Sequence, residues 1–429
     1  MRDHRYVSAV DASGRHFSDQ RGAPLLVFGD SPWAGFVRWS PQQAELYFAD
    51  REARGFNASI ISLIGASANG GPDDDGRTFD GLLPFDGGDV TRWNEAYWQR
   101  VDEYVRKACD HGNTLFLYPI DGWTAGNAFR NATREDAHRY GEMVGSRYAR
   151  FPNIVWMTGG DHFPSDLLGR HDSPPVHDEL FDEVLSGIRS TGDTRPFSIQ
   201  LGYPASISTD SPQWAPRVDF NFVYTYLPTY RAVLDAYRRN RLPALLSEAN
   251  YEGENNLPGT SVTGDEVLRR QMAWALTSGS PGYFYGSDDW EFLPGWEGRL
   301  DTPAVAQLGR LRELFASFDW WRLVPDESAD VIVGGRGESV GADAEVGIMG
   351  SDYVTAARAG DSLVAYVPTA RTMTVDATKL AQPTARWVDA ADATAPPVEA
   401  AIDPSGTLTT PGRNSAGGED WLLLLRVQA

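Results

Sequence analysis

Short apolar segments alternate with longer amphipathic segments over the first part of the chain. The apolar segments, such as 113–120 (NTLFLYPI), have the length and composition of strands that are buried on both faces. This pattern predicts eight strands. They lie at 24–30, 56–64, 113–120, 154–157, 196–201, 218–226, 244–248 and 282–286.

Helix signals lie between these strands. Ser40, with Gln43 three residues on, forms a capping box before a helix that has proline in its first turn. Thr263 and Glu266 form a second capping box, and Thr133 is a further candidate cap. Helices are predicted at 41–54, 92–111, 133–150, 176–190, 230–240, 263–278 and 303–318, with a polar loop at 162–175.

The strict alternation of strands and helices determines the expected fold class. This order produces parallel sheets, and eight strand–helix units over about 320 residues favour an α/β fold closed as a (β/α)8 TIM barrel. After position 324 the helical spacing ends, and short β-like runs favour a small all-β sandwich. We therefore predict a barrel domain at 1–324 and a C-terminal β-sandwich domain at 325–429.

The composition narrows the range of functions. The formal net charge of −21 repels phosphate backbones, which argues against nucleic-acid binding. No glycine-rich nucleotide loop follows a strand, and no serine is found in the nucleophile elbow of a serine hydrolase. Aromatic residues make up 12% of the chain, with 14 Trp and 17 Tyr, and such rings stack on sugars as well as filling cores.

The sequence as given contains no segment that would direct it to a membrane. No apolar run is long enough to cross a bilayer, and the polar N-terminus has no signal-peptide core. We therefore expect a cytoplasmic protein, or a secreted one if an export signal had been removed. Cys109 is the single cysteine, which excludes an intrachain disulfide. The sequence does not define the oligomeric state.

Acidic and aromatic residues collect at the carboxyl ends of the predicted strands, where a barrel carries its active site. Asp161 follows the fourth strand and two glycines, and Glu248 ends the seventh. An Asp in that position can be a helix cap, whereas a Glu that ends a buried strand needs a partner or a function. Basic residues are almost lacking at these ends, which disfavours phosphorylated substrates.

Two carboxyl groups on opposite walls of one cavity are what glycoside hydrolysis requires. Their placement on strands four and seven resembles the large clan of retaining (β/α)8 glycosidases. That resemblance assigns Asp161 as the general acid/base and Glu248 as the nucleophile. A separation of about 5–5.5 Å between the two carboxyls would indicate retention of configuration, and about 6.5–9.5 Å would indicate inversion.

The remaining strand-end residues are candidates for substrate binding, with structural roles as the alternative. Asp30 can bind a sugar hydroxyl or cap a turn, and Trp123 and Trp290 can be sugar platforms or core. Tyr224 can hydrogen-bond Glu248 or simply pack. The candidates are Asp30, Trp33, Asp121, Trp123, His162, Tyr203, Tyr224, Tyr226, Asn250, Tyr285, Asp288 and Trp290.

No metal and no cofactor are expected. The spacing of His162, His171 and His177 matches no zinc pattern, and all three lie in or beside the polar loop. The acidic run at 73–75 (DDD) is interpreted as a solvated loop rather than a calcium site.

Several short motifs carry a resemblance to a known family. They are 29–33 (GDSPW), 55–57 (GFN), 97–98 (YW), 151–156 (FPNIVW), 159–161 (GGD), 248–252 (EANYE) and 420–422 (DWL). Spread over nearly the whole chain, they resemble the apiosidase-like glycoside hydrolases, family 140 and its relatives. The resemblance implies a catalytic barrel with a small C-terminal β-sandwich, and a catalytic pair at Asp161 and Glu248. The collagen-binding label sometimes given to the sandwich is not carried over.

The resemblance implies an O-glycoside hydrolase that cleaves a terminal bond with retention. The expected substrate is a furanoside such as apiose or arabinofuranose in a plant or cell-wall glycoside. Positions 119–123 (PIDGW) and 224–230 (YTYLPTY) depart from the family pattern, so the chemistry transfers better than the sugar. Two alternatives stay open: a non-catalytic carbohydrate-binding protein on the same scaffold, and a lyase or transglycosylase that uses the same acids.

Overall fold

A three-stranded antiparallel sheet, which the sequence pattern does not predict, precedes the barrel. The computed structural model describes residues 4–164, 177–257, 261–341, 346–379 and 383–427. The sheet consists of β1 (Val7–Val10), β2 (Phe17–Asp19) and β3 (Pro24–Leu25). Phe17 is fully buried and meets the rings of Phe116 and Phe220 edge-on. The sheet therefore packs across the amino-terminal end of the barrel.

A barrel of parallel strands confirms the predicted fold class. Within the described ranges its sheet is built from β4 (Val27–Asp30), β5 (Ala58–Ser62), β6 (Thr114–Tyr118), β7 (Ile154–His162), β8 (Phe197–Leu201), β9 (Ala205–Ile207), β10 (Asn221–Thr225), β11 (Ala244–Glu248) and β12 (Gly282–Tyr285). The order is β8-β7-β6-β5-β4-β12-β11-β10-β9, and all neighbours are parallel except β9, which runs antiparallel to β10. Burial on both faces explains why apolar residues dominate these strands.

Serine side chains join β8 to β10, where the backbone ladder is interrupted. Ser198 Oγ donates a hydrogen bond of 2.7 Å to Phe220 O. Ser208 Oγ donates to Ile199 O at 2.7 Å and accepts from Phe222 N at 2.8 Å. β9 already pairs with β10 at this edge. Side-chain hydroxyls therefore satisfy backbone groups that a direct strand pair would otherwise satisfy.

The longer helices follow the barrel strands near the predicted positions, and two short helices, α1 and α4, were not predicted. In the described part of the chain they are α1 (Gly35–Arg38), α2 (Pro41–Ala53), α3 (Glu95–Asp110), α4 (Gly122–Ala125), α5 (Arg134–Tyr148), α6 (Asp178–Ser190), α7 (Thr229–Arg239), α8 (Asp265–Thr277) and α9 (Pro303–Ala316). Ser40 and Gln43 form the predicted capping box of α2, and Thr133 caps α5. Among these helices, none has both the length and the apolar character of a membrane span. Most of the predicted loop at 162–175 lies outside the described residues.

The predicted capping box at the start of α8 is wrong. Gly264 is the residue that precedes the helix, and no side chain caps it. Thr263 instead exchanges backbone hydrogen bonds with the loop after β11: Gly253 N donates to Thr263 O at 3.0 Å, and Thr263 N donates to Glu254 O at 2.8 Å. This contact between two loops holds Thr263 away from the helix start.

The C-terminal region is an all-β sandwich, as predicted. Its strands are β13 (Val324–Pro325), β14 (Ile332–Gly334), β15 (Thr355–Ala359), β16 (Ser362–Val367), β17 (Thr372–Val375), β18 (Pro383–Asp389), β19 (Val398–Ala400), β20 (Thr407–Thr409) and β21 (Trp421–Val427). One sheet has the order β13-β15-β16-β21-β18-β19 and the other β14-β17-β20. The predicted boundary between 324 and 325 falls inside β13, which pairs with β15 of the larger sheet.

Helix α8 connects the barrel to the sandwich. Trp274 on α8 is fully buried, meets the Tyr366 ring edge-on and donates from Nε1 to Tyr353 O at 2.9 Å. Arg269, one turn earlier, forms a buried ion pair with Asp420 at 2.7 Å. Because α8 follows β11, the sandwich supports the side of the barrel that carries Glu248.

Candidate active site

Three successive residues with left-handed backbone conformation end β7. Gly159 has φ 95°, Gly160 φ 81° and Asp161 φ 48°. A Cβ on Gly159 would lie 2.1 Å from the backbone oxygen of Gln200, and one on Gly160 would lie 2.7 Å from the Trp123 ring. Only glycine fits these two positions without strain. The pairing of β7 with β8 shifts register between Gly159 and His162, and this bulge directs Asp161 into the barrel mouth.

Glu248, at the end of β11, is buried and receives two hydrogen-bond donors. Gln200 Nε2 donates to Oε2 at 2.7 Å, and Tyr226 OH donates to Oε1 at 3.3 Å. Tyr118 OH donates to Gln200 Oε1 at 3.0 Å, which orients the Gln200 amide so that its nitrogen faces Glu248. Both oxygens of Glu248 therefore accept hydrogen bonds, and such bonds favour the ionised carboxylate.

Tyr224 lies beneath the two carboxyl groups. Its hydroxyl is 2.7 Å from the hydroxyl of Tyr226, and it interacts with both Asp161 and Glu248, lowering the pKa of each. A direct hydrogen bond from Tyr224 to Glu248, suggested by the sequence, stays a prediction, because the hydroxyl of Tyr224 bonds that of Tyr226, which in turn donates to Glu248.

The pKa of each acid is raised by burial, which disfavours the charged form. Burial raises the pKa of Asp161 to about 6. Burial first, and then repulsion from Asp161, raise the pKa of Glu248. Negative charges on both acids would repel each other, which favours a pair that holds one proton. We assign it to Asp161, because Glu248 accepts from Gln200 and Tyr226 whereas Asp161 Oδ1 has no hydrogen-bond partner among the described residues.

Both acids line one pocket of ≈ 180 Å³ at the carboxyl ends of the strands. Acidic, amide and aromatic side chains dominate its wall. Its described lining consists of Trp33, Ala68, Asn69, Trp123, Asp161, Gln200, Tyr226, Glu248, Tyr251, Glu254, Asn256 and Trp290. No Lys or Arg belongs to this described lining, as expected for a site that takes an uncharged substrate.

Three tryptophans contribute to the described pocket wall, each anchored by a neighbour. Trp33 Nε1 donates to Tyr251 OH at 2.8 Å, and the Trp33 ring meets Trp123 edge-on at 5.7 Å. Trp290 Nε1 donates to Glu254 Oε1 at 2.6 Å. Trp123 and Trp290 are only partly buried, so their rings present apolar surface to the pocket.

Two predicted acids lie outside the described pocket lining and are bound within the protein. Asp30 Oδ2 accepts from Tyr47 OH at 2.7 Å and lies 3.1 Å from Arg51 Nε. Asp121 caps α4, and its Oδ2 accepts from Asn69 Nδ2 at 3.2 Å. Asp121 thus orients Asn69, which does line the pocket. A direct contact of either acid with substrate stays a prediction.

Other predicted binding residues also support the site from outside the described lining. Buried His162 is 2.9 Å from Asp178 on α6. Asn250 Nδ2 donates to Tyr226 O at 3.2 Å. Tyr285 OH donates to Glu252 at 2.6 Å, Asp288 is exposed beside Gly253, and Tyr203 is 50% exposed. Their proposed contacts with substrate also stay predictions.

Sequence reasoning did not select several residues of the lining. Gln200 lies near the end of β8 and Tyr251 three residues beyond β11, but the sequence pattern does not single them out. Asn69, Glu254 and Asn256 lie on loops, several residues beyond any strand, and no local pattern marks them. Only the closing of the barrel brings these loops over the pocket.

The described residues give little support for a metal site or for a serine-hydrolase site. The described residues contain no group of three or more His, Cys, Asp or Glu that could hold a metal ion; His171 lies outside them. Asp73 and Asp75 pair with Arg77 at the surface. A Gly-x-Ser-x-Gly match does occur at 337–341 (GESVG), but Ser339 is exposed in the sandwich and follows no strand-to-helix turn.

Comparisons with known proteins match two families along the chain. Residues 11–322 match the family described as "Apiosidase-like, catalytic domain", and residues 344–426 match "Putative collagen-binding domain of a collagenase". No curated protein sequence matches the chain significantly.

Two solved structures share the whole architecture. One, a glycoside hydrolase, has a TM-score of 0.81 at 21% identity and covers 98% of this chain and 96% of its own. The other, a family 5 glycoside hydrolase from Bacteroides vulgatus, has a TM-score of 0.81 at 20% identity, with 98% and 93% covered. At identities of 21% and 20%, the structural similarity is evidence for the fold alone. Since the match to the apiosidase-like catalytic domain covers most of the chain, the protein belongs to the apiosidase-like glycoside hydrolases.

Proposed function

We propose that the protein is a retaining exo-glycosidase that releases a terminal furanose, such as apiose or arabinofuranose, from a plant or cell-wall glycoside. The observation that carries this proposal is the contrast between two carboxyl groups in one pocket. Glu248 accepts hydrogen bonds from Gln200 and Tyr226, whereas half-buried Asp161 has a buried oxygen, Oδ1, with no hydrogen-bond partner among the described residues. The first environment suits an ionised nucleophile and the second a proton donor.

The reaction follows from these two environments. Asp161 donates its proton to the glycosidic oxygen while Glu248 attacks the anomeric carbon, so the leaving group departs as an alcohol and a glycosyl ester forms on Glu248. Asp161, now ionised, takes a proton from water, and the water oxygen attacks the anomeric carbon and releases Glu248. Two displacements at one carbon retain its configuration.

The interaction between the two carboxyl groups supports retention. Repulsion from Asp161 is one of the causes that raise the pKa of Glu248, as expected for acids that lie close together in one pocket. Retaining enzymes hold their two carboxyl groups about 5–5.5 Å apart, and inverting enzymes about 6.5–9.5 Å. We expect the shorter separation here.

The size and lining of the pocket support a single, uncharged terminal sugar. Its volume of ≈ 180 Å³ is below the range of about 300–1,000 Å³ that drug-sized ligands occupy, and therefore suits one sugar ring. Partly buried Trp123 and Trp290 offer apolar faces to the ring, and carboxylate and amide groups offer partners to its hydroxyls. A furanose is favoured because the chain belongs to the apiosidase-like family.

The test is a panel of aryl furanosides and aryl pyranosides, with the first-formed anomer followed by NMR. We expect hydrolysis of a furanoside and a product of retained configuration. Asp161→Asn and Glu248→Gln should abolish turnover, while Glu313→Gln, an exposed change on α9, should not alter it. Hydrolysis of pyranosides only, or an inverted first product, would contradict the proposal.

A further inference from the structure

A third carboxylate, Glu254, lines the pocket without a role in the two displacements. It lies on the loop after β11, six residues beyond Glu248. Its Oε1 accepts from Trp290 Nε1 at 2.6 Å, and its Oε2 accepts from Asn256 Nδ2 at 2.6 Å. A carboxylate has about four lone-pair positions, so these two donors leave about half of its accepting capacity open.

Backbone contacts hold this carboxylate in place before any ligand arrives. Thr263 N donates to Glu254 O at 2.8 Å, and Gly253 N donates to Thr263 O at 3.0 Å. Asn256 Oδ1 accepts from Tyr251 N at 2.8 Å, which orients the amide that binds Glu254. Hydrogen bonds therefore hold the loop on both sides of Glu254, so ligand binding requires little further ordering of the loop.

The position of Glu254 places it against the sugar that is released rather than the leaving group. The general acid must contact the glycosidic oxygen, so the leaving group lies on the side of Asp161, which follows β7. Glu254 and Trp290 follow β11 and β12, which are not neighbours of β7 in the sheet. The glycone, on the opposite side of the anomeric carbon from the leaving group, faces them.

An ionised carboxylate can only accept hydrogen bonds, so it recognises hydroxyl donors. No Lys or Arg of the described lining faces Glu254, and the charge of Glu254 is one of the causes that raise the pKa of Glu248. Hydroxyl groups on neighbouring ring carbons can each donate to one oxygen of Glu254 without adding further charge. A sugar that lacks one of them would leave a desolvated carboxylate oxygen without its partner.

We propose that Glu254 determines glycone specificity by accepting hydrogen bonds from two neighbouring hydroxyls of the terminal sugar, with the Trp290 ring against the sugar face. This inference rests on the proposed function, because it takes the glycone to occupy the pocket of Asp161 and Glu248. Sugars with a free vicinal diol are accepted, and their deoxy or O-methyl derivatives are rejected.

The test compares wild type with Glu254→Gln on 4-nitrophenyl apiofuranoside or α-L-arabinofuranoside, whichever is hydrolysed faster, and on its 2-deoxy and 3-deoxy analogues. In wild type, loss of either hydroxyl should lower kcat/KM about 10- to 100-fold, as expected for a hydrogen bond to a charged group. Glu254→Gln should lower kcat/KM on the parent substrate by a similar factor. In this variant kcat/KM on the parent should exceed that on each deoxy analogue by less than about 3-fold.

Trp290→Phe is a second variant that keeps the aromatic face and removes the donor to Glu254. It should weaken discrimination less than Glu254→Gln does, and Glu313→Gln should leave it unchanged. A thermal unfolding measurement on each variant checks that it is folded. Equal losses on parent and deoxy substrates in Glu254→Gln, or no loss on the parent, would overturn the inference. Failure of wild type to hydrolyse any furanoside would instead overturn the proposed function.

Discussion

Gln200 Nε2 donates a hydrogen bond of 2.7 Å to Glu248 Oε2. Gln200 lies near the end of β8 and Glu248 ends β11. These strands are not neighbours in the sheet, so the bond crosses the mouth of the barrel. Tyr118 determines which way the Gln200 amide faces. This relationship keeps the nucleophile oriented and favours its ionised form, and it leads to the first prediction.

Gln200→Leu should lower kcat/KM about 10- to 100-fold, because one hydrogen bond to a charged group is lost. Without this donor the pKa of Glu248 should rise, so the acidic limb of the pH–rate profile should move to higher pH. Tyr226→Phe removes a longer bond of 3.3 Å and should move that limb less. An acidic limb that stays in place in Gln200→Leu would contradict this role.

The activity of wild type should fall as the pH rises through about 6. Burial raises the pKa of Asp161 to about 6, and the first displacement requires its proton. The measurement is kcat/KM against pH for an aryl glycoside with a poor leaving group. A substrate with a good leaving group, such as a 2,4-dinitrophenyl glycoside, needs less protonation and should lose less activity above this pH. Identical profiles for the two substrates would argue against Asp161 as the acid.

Asp161→Asn should stabilise the protein at neutral pH. The folded-state pKa of Asp161 lies above its ordinary value of 3.8, so stability is fully present below pH 3.8 and is lost as the pH rises through about 6. That shift corresponds to at most about 3 kcal/mol. The Asn variant lacks the charge, so its gain in thermal unfolding should be clear at pH 7.5 and absent near pH 3.5. Exposed Asp86→Asn is the control, and a gain that does not depend on pH would refute the explanation.

Gly159→Ala should be far more damaging than Gly81→Ala. Both glycines have positive φ, 95° and 89°, but a Cβ on Gly159 would lie 2.1 Å from Gln200 O, whereas nothing lies within 4 Å at Gly81. We expect about 1–2 kcal/mol lost in Gly81→Ala from backbone conformation alone. Gly159→Ala should lose about 1–3 kcal/mol more from the clash, together with most activity. Similar unfolding temperatures for the two variants would contradict this.

The ion pair of Arg269 and Asp420 should contribute strongly to the attachment of the sandwich. Both side chains are buried, and two guanidinium nitrogens donate to Asp420 at 2.8 and 2.7 Å. Asp420→Ala leaves a buried charge without its partner, which should cost about 3–5 kcal/mol in thermal or denaturant unfolding. Asp392→Ala breaks a partly exposed pair with Arg310 and should cost less than about 1 kcal/mol. Equal losses of stability in Asp420→Ala and Asp392→Ala would show that burial does not determine how much an ion pair contributes.

Much of the barrel was predictable because its signals are local. Strands such as β6 and β11 contain apolar runs because both faces of a barrel strand are buried. Ser40 and Thr133 satisfy helix N–H groups a few residues away. The single strand predicted at 24–30 is the exception. Pro24–Leu25 pairs with β2 as β3, and the barrel strand begins at Val27, a division that depends on a partner strand rather than on local sequence.

Local signals suffice to predict the architecture and the positions of Asp161 and Glu248 near strand ends, since periodicity and the carboxyl-end rule act through residues close in the chain. Which strand-end groups reach the pocket depends on how the barrel closes. Asp30 and Asp121 are bound by Tyr47 and Asn69, whereas Glu254 comes from a distant loop. Contacts between residues far apart in the chain make that distinction, and no local pattern encodes them.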